Sequence, residues 1–202
     1  MKSICVFCGS SMGSKPGYKS GAIELGKELL KRKITLIYGG ANVGLMKVLA
    51  DTVLAGGGEV IGIMPRRLVE NEVAHHGLTK MHIVESMSER KTLMVELSDA
   101  FIAMPGGFGT FDELAEVITY NQLRLTDKPI GILNLENFYN HLLEFFTHSA
   151  HEGFLRHEHR NNLIVEEKPE ELLRKLSLYQ PVSIEKWIRD IKEESKKIDD
   201  VL

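Results

Sequence analysis

Apolar and polar positions along this chain follow two alternating rhythms. Short, nearly unbroken apolar runs stand at ICVFC (4–8), TLIY (35–38) and AFIAM (100–104). Longer stretches between them repeat their apolar residues every three or four positions, as in Ile23, Leu25, Leu29 and Leu30. The first rhythm predicts strands buried on both faces and the second amphipathic helices. The predicted strands are Ser3–Cys8, Ile34–Tyr38, Glu59–Met64, a weaker His82–Val84, Ala100–Met104, Pro129–Leu133 and Leu163–Val165. The predicted helices are Tyr18–Lys31, Gly44–Leu54, Met87–Leu97, Thr110–Leu123, Phe138 to about Ala150, and Pro169–Leu176.

Strands of about five residues separated by helices of about 10–15 predict right-handed βαβ units and a parallel sheet. The expected fold class is therefore α/β, a Rossmann-like doubly wound parallel sheet flanked by helices in a single domain. Residues 1–180 form this domain, and 181–202 a charged helical tail. In the tail Ile184, Trp187, Ile191 and Ile198 share one face. That face packs back on its own domain or meets another subunit.

Ligands in such sheets sit beyond the carboxyl ends of the strands, where the strand order reverses. Three glycine-rich turns fall at strand ends: Gly9-Ser10-Ser11, Gly39-Gly40 and Gly106-Gly107. Together they predict a site on one edge of the sheet.

Composition narrows the chemistry. A chain of 202 residues with 43% apolar and 26% charged residues suits one globular domain. No run of about 18 apolar residues predicts a membrane span. A net charge of −3 provides no basic field for nucleic acid or an anionic membrane. The start, MKSICVFCGSS, lacks a signal-peptide pattern and points to the cytoplasm. Cys5 and Cys8 are the only cysteines; three apart on a strand, they face opposite ways and suit two reduced core thiols. Of the eight histidines, His151, His157 and His159 lack the spacing of a zinc site, and His75-His76 falls in a loop expected to be solvated. No metal and no cofactor is expected.

The segment MPGGFGTFDELAEV (104–117) is the most informative. Gly106, Gly107 and Gly109 let backbone N–H groups converge on an anion at a helix start. Thr110 adds a hydroxyl, as cap or as ligand. Asp112 and Glu113 are expected in the first turn, with Glu116 one turn after Glu113. They either stabilise the helix dipole or border the anion site with chemistry of their own. YGGANVGLM (38–46) has Ala41 where a dinucleotide fingerprint needs glycine, and Leu45-Met46 where a P-loop needs Lys-Ser/Thr. In SERKTLMVELSDA (88–100), Arg90 and Lys91 place cations at a helix start, against the dipole. They form a solvated face, or Arg90 grips a phosphate, a carboxylate or a purine edge.

Taken together, CVFCGSS, YGGxxxGLM, Arg90-Lys91, PGGxGTxxE at Pro105–Glu113, EVITYNQL and DKPIGILN closely resemble the LONELY GUY (LOG) family, from the start to about Phe154. The resemblance implies a Rossmann-like homodimer that cleaves cytokinin-type nucleoside 5′-monophosphates to free base and ribose 5-phosphate. It implies Arg90 and Glu113 as the catalytic pair. It implies substrate contacts at Glu72, Lys91, Gly106, Gly107, Phe108, Gly109, Thr110 and Thr119, with Ser10, Gly39 and Gly40 as site walls. Glu116 is expected to support Arg90 through an ion pair. Asn42-Val43 and Ser88 depart from the plant pattern, at positions bearing on base preference. The rival readings are a non-catalytic nucleotide sensor and a dinucleotide oxidoreductase, the latter disfavoured by Ala41.

Overall fold

The computed structural model describes residues 1–70 and 73–181. Its strands are β1 (Ser3–Phe7), β2 (Thr35–Tyr38), β3 (Val60–Pro65), β4 (Lys80–Val84), β5 (Ala100–Ala103), β6 (Ile130–Leu133) and β7 (Ile164–Glu166). Its α-helices are α1 (Pro16–Lys31), α2 (Gly44–Ala55), α3 (Arg66–Glu70), α4 (Met87–Leu97), α5 (Phe108–Gln122), α6 (Asn140–His151), α7 (His157–Asn161) and α8 (Pro169–Ser177). A 3₁₀ turn at Leu135–Asn137 precedes α6. The seven strands make one sheet in the order β4-β3-β2-β1-β5-β6-β7, with each neighbouring pair parallel.

Alternation along β1 explains the unbroken apolar run. Ile4 and Val6 enter the cluster filled by Ala22, Leu25 and Leu29 of α1, Leu45, Leu49 and Val53 of α2, and Leu172, Leu173 and Leu176 of α8. Cys5 and Phe7 enter the opposite cluster, with Met94 and Val95 of α4, Leu114 and Val117 of α5, and Leu142 and Leu143 of α6. Helices therefore cover both faces, so every β1 side chain past Ser3 is buried. Each fully buried leucine in these layers contributes roughly 1.5–3 kcal/mol. The two thiols fall in opposite layers, as the strand period requires.

The strand order reverses at β1, with β2 on one side and β5 on the other. The crevice beyond the carboxyl ends of β1 and β5 is therefore the switch point of a doubly wound sheet. Among the described residues no helix is long and apolar enough to cross a membrane. The tail from Val182 to Leu202 and the predicted contact Glu72 lie outside the described residues.

Helix α5 corrects the predicted start at Thr110. Gly107, in extended backbone, is the N-cap, and the helix begins at Phe108. Thr110 is thus the third helical residue and not a cap. Asp112 and Glu113 move to the second turn, and the first turn holds no acid. The glycines on either side of Phe108 accept the turn into the helix two residues earlier than the apolar rhythm suggests.

Candidate active site

The three glycine turns meet. The Gly9 N–H donates to the Pro105 carbonyl (3.0 Å), and the Leu45 N–H donates to the Gly9 carbonyl (3.1 Å). Gly44 has φ +54°, and a β-carbon there would collide with the backbone of Ser10 and Ser11. A β-carbon on Gly106 would collide with the Thr110 side chain and crowd Gly9 N at 3.0 Å. These glycines exist because loops after different strands touch. At Gly107 and Gly109 a β-carbon would meet nothing within 4 Å. There the missing side chains leave the start of α5 uncovered. The first N–H groups of a helix have no intrahelical acceptor, and Gly107 brings no side-chain cap. Uncovered amides at a helix start are a geometry able to receive an anion. Tyr139 supports the turn from below, its hydroxyl donating to the Met104 carbonyl at 2.6 Å. Beside it a cleft of about 260 Å³ is lined by Ser10, Met12, Tyr18, Gly106, Gly107 and Phe138.

One turn into α5, Glu113 is buried (9% exposed). Arg90 reaches it from α4, with Nη1 3.6 Å from Glu113 Oε1. Burial pushes the Glu113 carboxyl up to about 7. Arg90 and Lys91 pull it down, and Asp112 and Glu116 push it further up. The Arg90 guanidinium is held on three sides. Nε donates to the Ile63 carbonyl of β3 (3.0 Å), and Nη1 lies 3.8 Å from Met87 Sδ. Against Nη2 stands Gly39, where any β-carbon would collide with it. Gly39 is thus glycine because a guanidinium occupies the space of its side chain. The start of α4 is secured by Ser86, whose hydroxyl accepts from the Glu89 N–H (3.1 Å), while Glu89 Oε2 accepts from the Glu85 N–H (2.9 Å). The Ser-x-x-Glu spacing carried that signal in the sequence.

Lys91 forms a second cluster on the outer side. Its Nζ sits 3.1 Å from Asp112 Oδ2 and 3.3 Å from Glu116 Oε1, and the Tyr120 hydroxyl donates to Glu116 (3.2 Å). Burial alone would lower the Lys91 ammonium; the Asp112 and Glu116 carboxylates outweigh it and raise it. Glu116 therefore pairs with Lys91, correcting the expected pairing with Arg90. Successive α4 residues leave the helix about 100° apart, so only one of Arg90 and Lys91 faces inward to Glu113.

Not every expected residue converges. Ser10 is exposed at the crevice and Gly40 is buried in its turn. Phe108 is 96% exposed at the tip of the loop. Thr119 is exposed, and its hydroxyl donates to the Ala115 carbonyl of its own helix (2.8 Å). Six residues beyond Glu113, it lies about 9 Å further along α5. His75 corrects the expectation of a solvated loop histidine: its side chain is 8% exposed and its Nε2 lies 2.9 Å from Asp51 Oδ1. Long-range packing decides this, and no local pattern signals it. Among the described residues no group of three His, Cys, Asp or Glu side chains is placed to hold a metal ion.

What these parts define is a doubly wound α/β protein with an uncovered helix start and a buried carboxylate–guanidinium pair at its switch point. Comparison with known proteins narrows the class. A family model described as "Possible lysine decarboxylase" matches residues 46–176. A probable cytokinin riboside 5′-monophosphate phosphoribohydrolase of Oryza sativa subsp. japonica is 46% identical over 189 residues, covering 91% of this chain and 78% of that protein. A cytokinin riboside 5′-monophosphate phosphoribohydrolase of Arabidopsis thaliana is 47% identical over 180 residues, covering 89% and 84%. Among solved structures, a molybdenum cofactor binding protein from Rippkaea orientalis superposes with a TM-score of 0.67 at 22% identity, covering 88% of this chain and 96% of that one. The molybdenum cofactor carrier protein of Chlamydomonas reinhardtii superposes at 0.66 and 20% identity, covering 88% and 98%. These two share the fold. The chain belongs to the LONELY GUY (LOG) family.

Proposed function

We propose that this protein hydrolyses the N-glycosidic bond of nucleoside 5′-monophosphates, AMP and N6-prenyl-AMP among them, releasing free base and ribose 5-phosphate. The observation that carries this reading is Glu113, a buried carboxyl pushed up to about 7, facing Arg90 one turn beyond the anion site. The curated relatives near 46% identity are named for this activity on cytokinin ribosides.

In the reaction the bond from C1′ to the base nitrogen breaks and its electron pair leaves with the base. Positive charge develops over C1′ and the ring oxygen. Glu113 as carboxylate stabilises that charge and takes a proton from water, whose oxygen bonds to C1′. The departing base gains a proton from solvent. Arg90 touches Glu113 and acts by favouring its ionised form, the only form able to do this work at neutral pH. The 5′-phosphate binds at Gly106, Gly107, Phe108, Gly109 and Thr110, on uncovered helix-start amides. Anchoring the phosphate uses remote binding energy to hold C1′ near Glu113, which favours the monophosphate over the free nucleoside. Lys91, fixed by Asp112 and Glu116, supplies a second cation, with Glu116 in support. Its ammonium is held charged, which suits anion binding and disfavours an amine for imine chemistry.

Glu72 and Thr119 complete the proposed contacts, with Ser10, Gly39 and Gly40 as walls. The exposed Thr119 fits a homodimer, as do Leu123 and Leu125 just beyond α5, 51% and 65% exposed. Two free thiols fit a cytoplasmic protein. The deciding experiment incubates the protein with AMP and with N6-isopentenyl-AMP and separates free base by chromatography. Stoichiometric base and ribose 5-phosphate support the hydrolase. Nucleotide binding without base release overturns it in favour of a sensor.

A further inference from the structure

The stretch Val73–Gly77, ahead of β4, lies over the second glycine turn and is fastened there. The Asn42 N–H donates to the Val73 carbonyl (2.8 Å), the His75 N–H donates to the Gly40 carbonyl (2.9 Å), and Ala41 and Ala74 form an antiparallel bridge. Ala41, Ala74 and Met64 bury a small apolar cluster beneath the strap. Gly40 itself has φ +80°, with the Met81 thioether 3.1 Å from where a β-carbon would stand. The turn is therefore in a backbone conformation reserved for glycine, with a neighbour already in the space of a side chain.

His75 gives that support a side-chain anchor. Its Nδ1 accepts from the Gly77 N–H at 3.0 Å, so Nδ1 carries no proton, and Nε2 carries one and donates to Asp51 Oδ1 at 2.9 Å. Asp51 lies on α2, the helix that leaves the same glycine turn. Lys47 pairs with it at 2.9 Å and also donates to Asn42 Oδ1 at 3.1 Å. The strap is thus tied to both sides of the turn, by backbone at Gly40 and Asn42 and by imidazole at Asp51. Asp51 and Lys47 are both 47% exposed, and ion pairs at that exposure add little to stability. What they fix is direction.

The turn they fix is the floor under Arg90. Gly39 lies against the Arg90 Nη2, and Arg90 Nη1 faces Glu113. We propose that His75 is a positioning residue for the reaction: by clamping the Val73–Gly77 strap onto the Gly39–Gly40 turn, it holds the Arg90 guanidinium against Glu113. The assignment of Arg90 and Glu113 as the reacting pair rests on the proposed hydrolase; the contact chain His75, Gly40, Gly39, Arg90, Glu113 does not. The strap also follows directly on Glu72 in the chain.

The test reads Glu113 directly. Its side-chain carboxyl is titrated by ¹³C NMR in the full-length protein without substrate, in wild type, His75→Ala and His75→Gln. Because Arg90 pulls the Glu113 carboxyl down, loosening Arg90 raises the Glu113 midpoint in His75→Ala, by about half a pH unit or more. His75→Gln, whose amide can still donate to Asp51, returns most of the shift. In AMP hydrolysis His75→Ala lowers kcat about tenfold and moves the acid limb of kcat/KM to higher pH in step with the NMR midpoint. Should His75→Ala fail to fold, Asp51→Ala on the surface of α2, which removes the acceptor of the His75 Nε2–H, carries the same readout with the same sign. An unchanged Glu113 midpoint in a folded variant overturns the proposal, whatever happens to thermal stability. A wild type that releases no base overturns the hydrolase reading alone, since the NMR arm still decides the clamp.

Discussion

Nη1 of Arg90 stands 3.6 Å from Oε1 of Glu113, and each side chain keeps little more than a tenth of its surface exposed. The two are paired as charges but stand just outside hydrogen-bond distance. Arg90 spends its Nε on the Ile63 carbonyl, so the guanidinium is anchored by β3 and not by Glu113. Glu113 keeps lone pairs for water or substrate. That arrangement suits a carboxylate that has to react.

Removing either member should therefore stop base release without unfolding the protein. Glu113→Gln and Arg90→Ala are each expected to lower release of adenine from AMP by more than about tenfold, with normal circular dichroism and a single cooperative unfolding transition. Activity within about tenfold of wild type in either variant would sink the assignment.

In the proposed reaction Glu113 works as the carboxylate, and burial pushes its carboxyl up to about 7. Activity in kcat/KM is expected to rise with pH through that region as the proton leaves. A profile already flat from pH 5 to 8 would contradict the role.

The same shift has a stability consequence of opposite sign. The folded state binds a proton at Glu113 that the unfolded chain releases near 4.5, so stability falls as pH rises from there through about 7. Above pH 7 the charged carboxyl costs on the order of 3 kcal/mol. Glu113→Gln, neutral at every pH, should melt several degrees above wild type at pH 8 and close to it at pH 4. Equal melting temperatures at both values would show that burial does not penalise the charge.

Gly39 tests the packing around Arg90 without touching either charge. Alanine there places a methyl where Nη2 lies, so the guanidinium has to move. Gly39→Ala is expected to fold, to lose kcat by about tenfold or more, and to shift the activity limb to higher pH as Arg90 withdraws. Wild-type kinetics would mean that Arg90 acts from another position.

Two neighbouring glycines should respond differently. Gly106→Ala forces a collision with Thr110 and Gly9, costing roughly 1–3 kcal/mol of stability. Gly107→Ala meets no neighbour and should melt like wild type, yet raise KM for AMP by crowding the phosphate. Thermal melts and KM measured side by side separate them; equal effects in both variants would place the phosphate elsewhere.

Much of this was legible in the sequence. The apolar rhythm placed all seven strands and the principal helices to within a few residues, because strands buried on both faces must read as continuous apolar runs. The motif at Pro105–Glu113 marked the turn from β5 into α5, because a tight turn ahead of a helix needs glycines at fixed spacing. Short elements escaped: α3, α7 and the 3₁₀ turn at Leu135–Asn137 are too brief to show a period. The start of α5 was misplaced because Phe108 and Gly109 have poor helical character on their own and become helical through the cap at Gly107.

What the sequence by itself determined is what depends on neighbours along the chain: the α/β alternation, the glycine turns and the identity of the acids and bases. Only the tertiary structure decided which of Arg90 and Lys91 meets Glu113, that Glu116 turns to Lys91, that Gly39 makes room for a guanidinium, and that His75 is buried against Asp51. Each of those facts joins residues more than twenty positions apart or sets a direction around a helix axis. They follow from how helices seat on the sheet, a property of the packed whole that no local window contains.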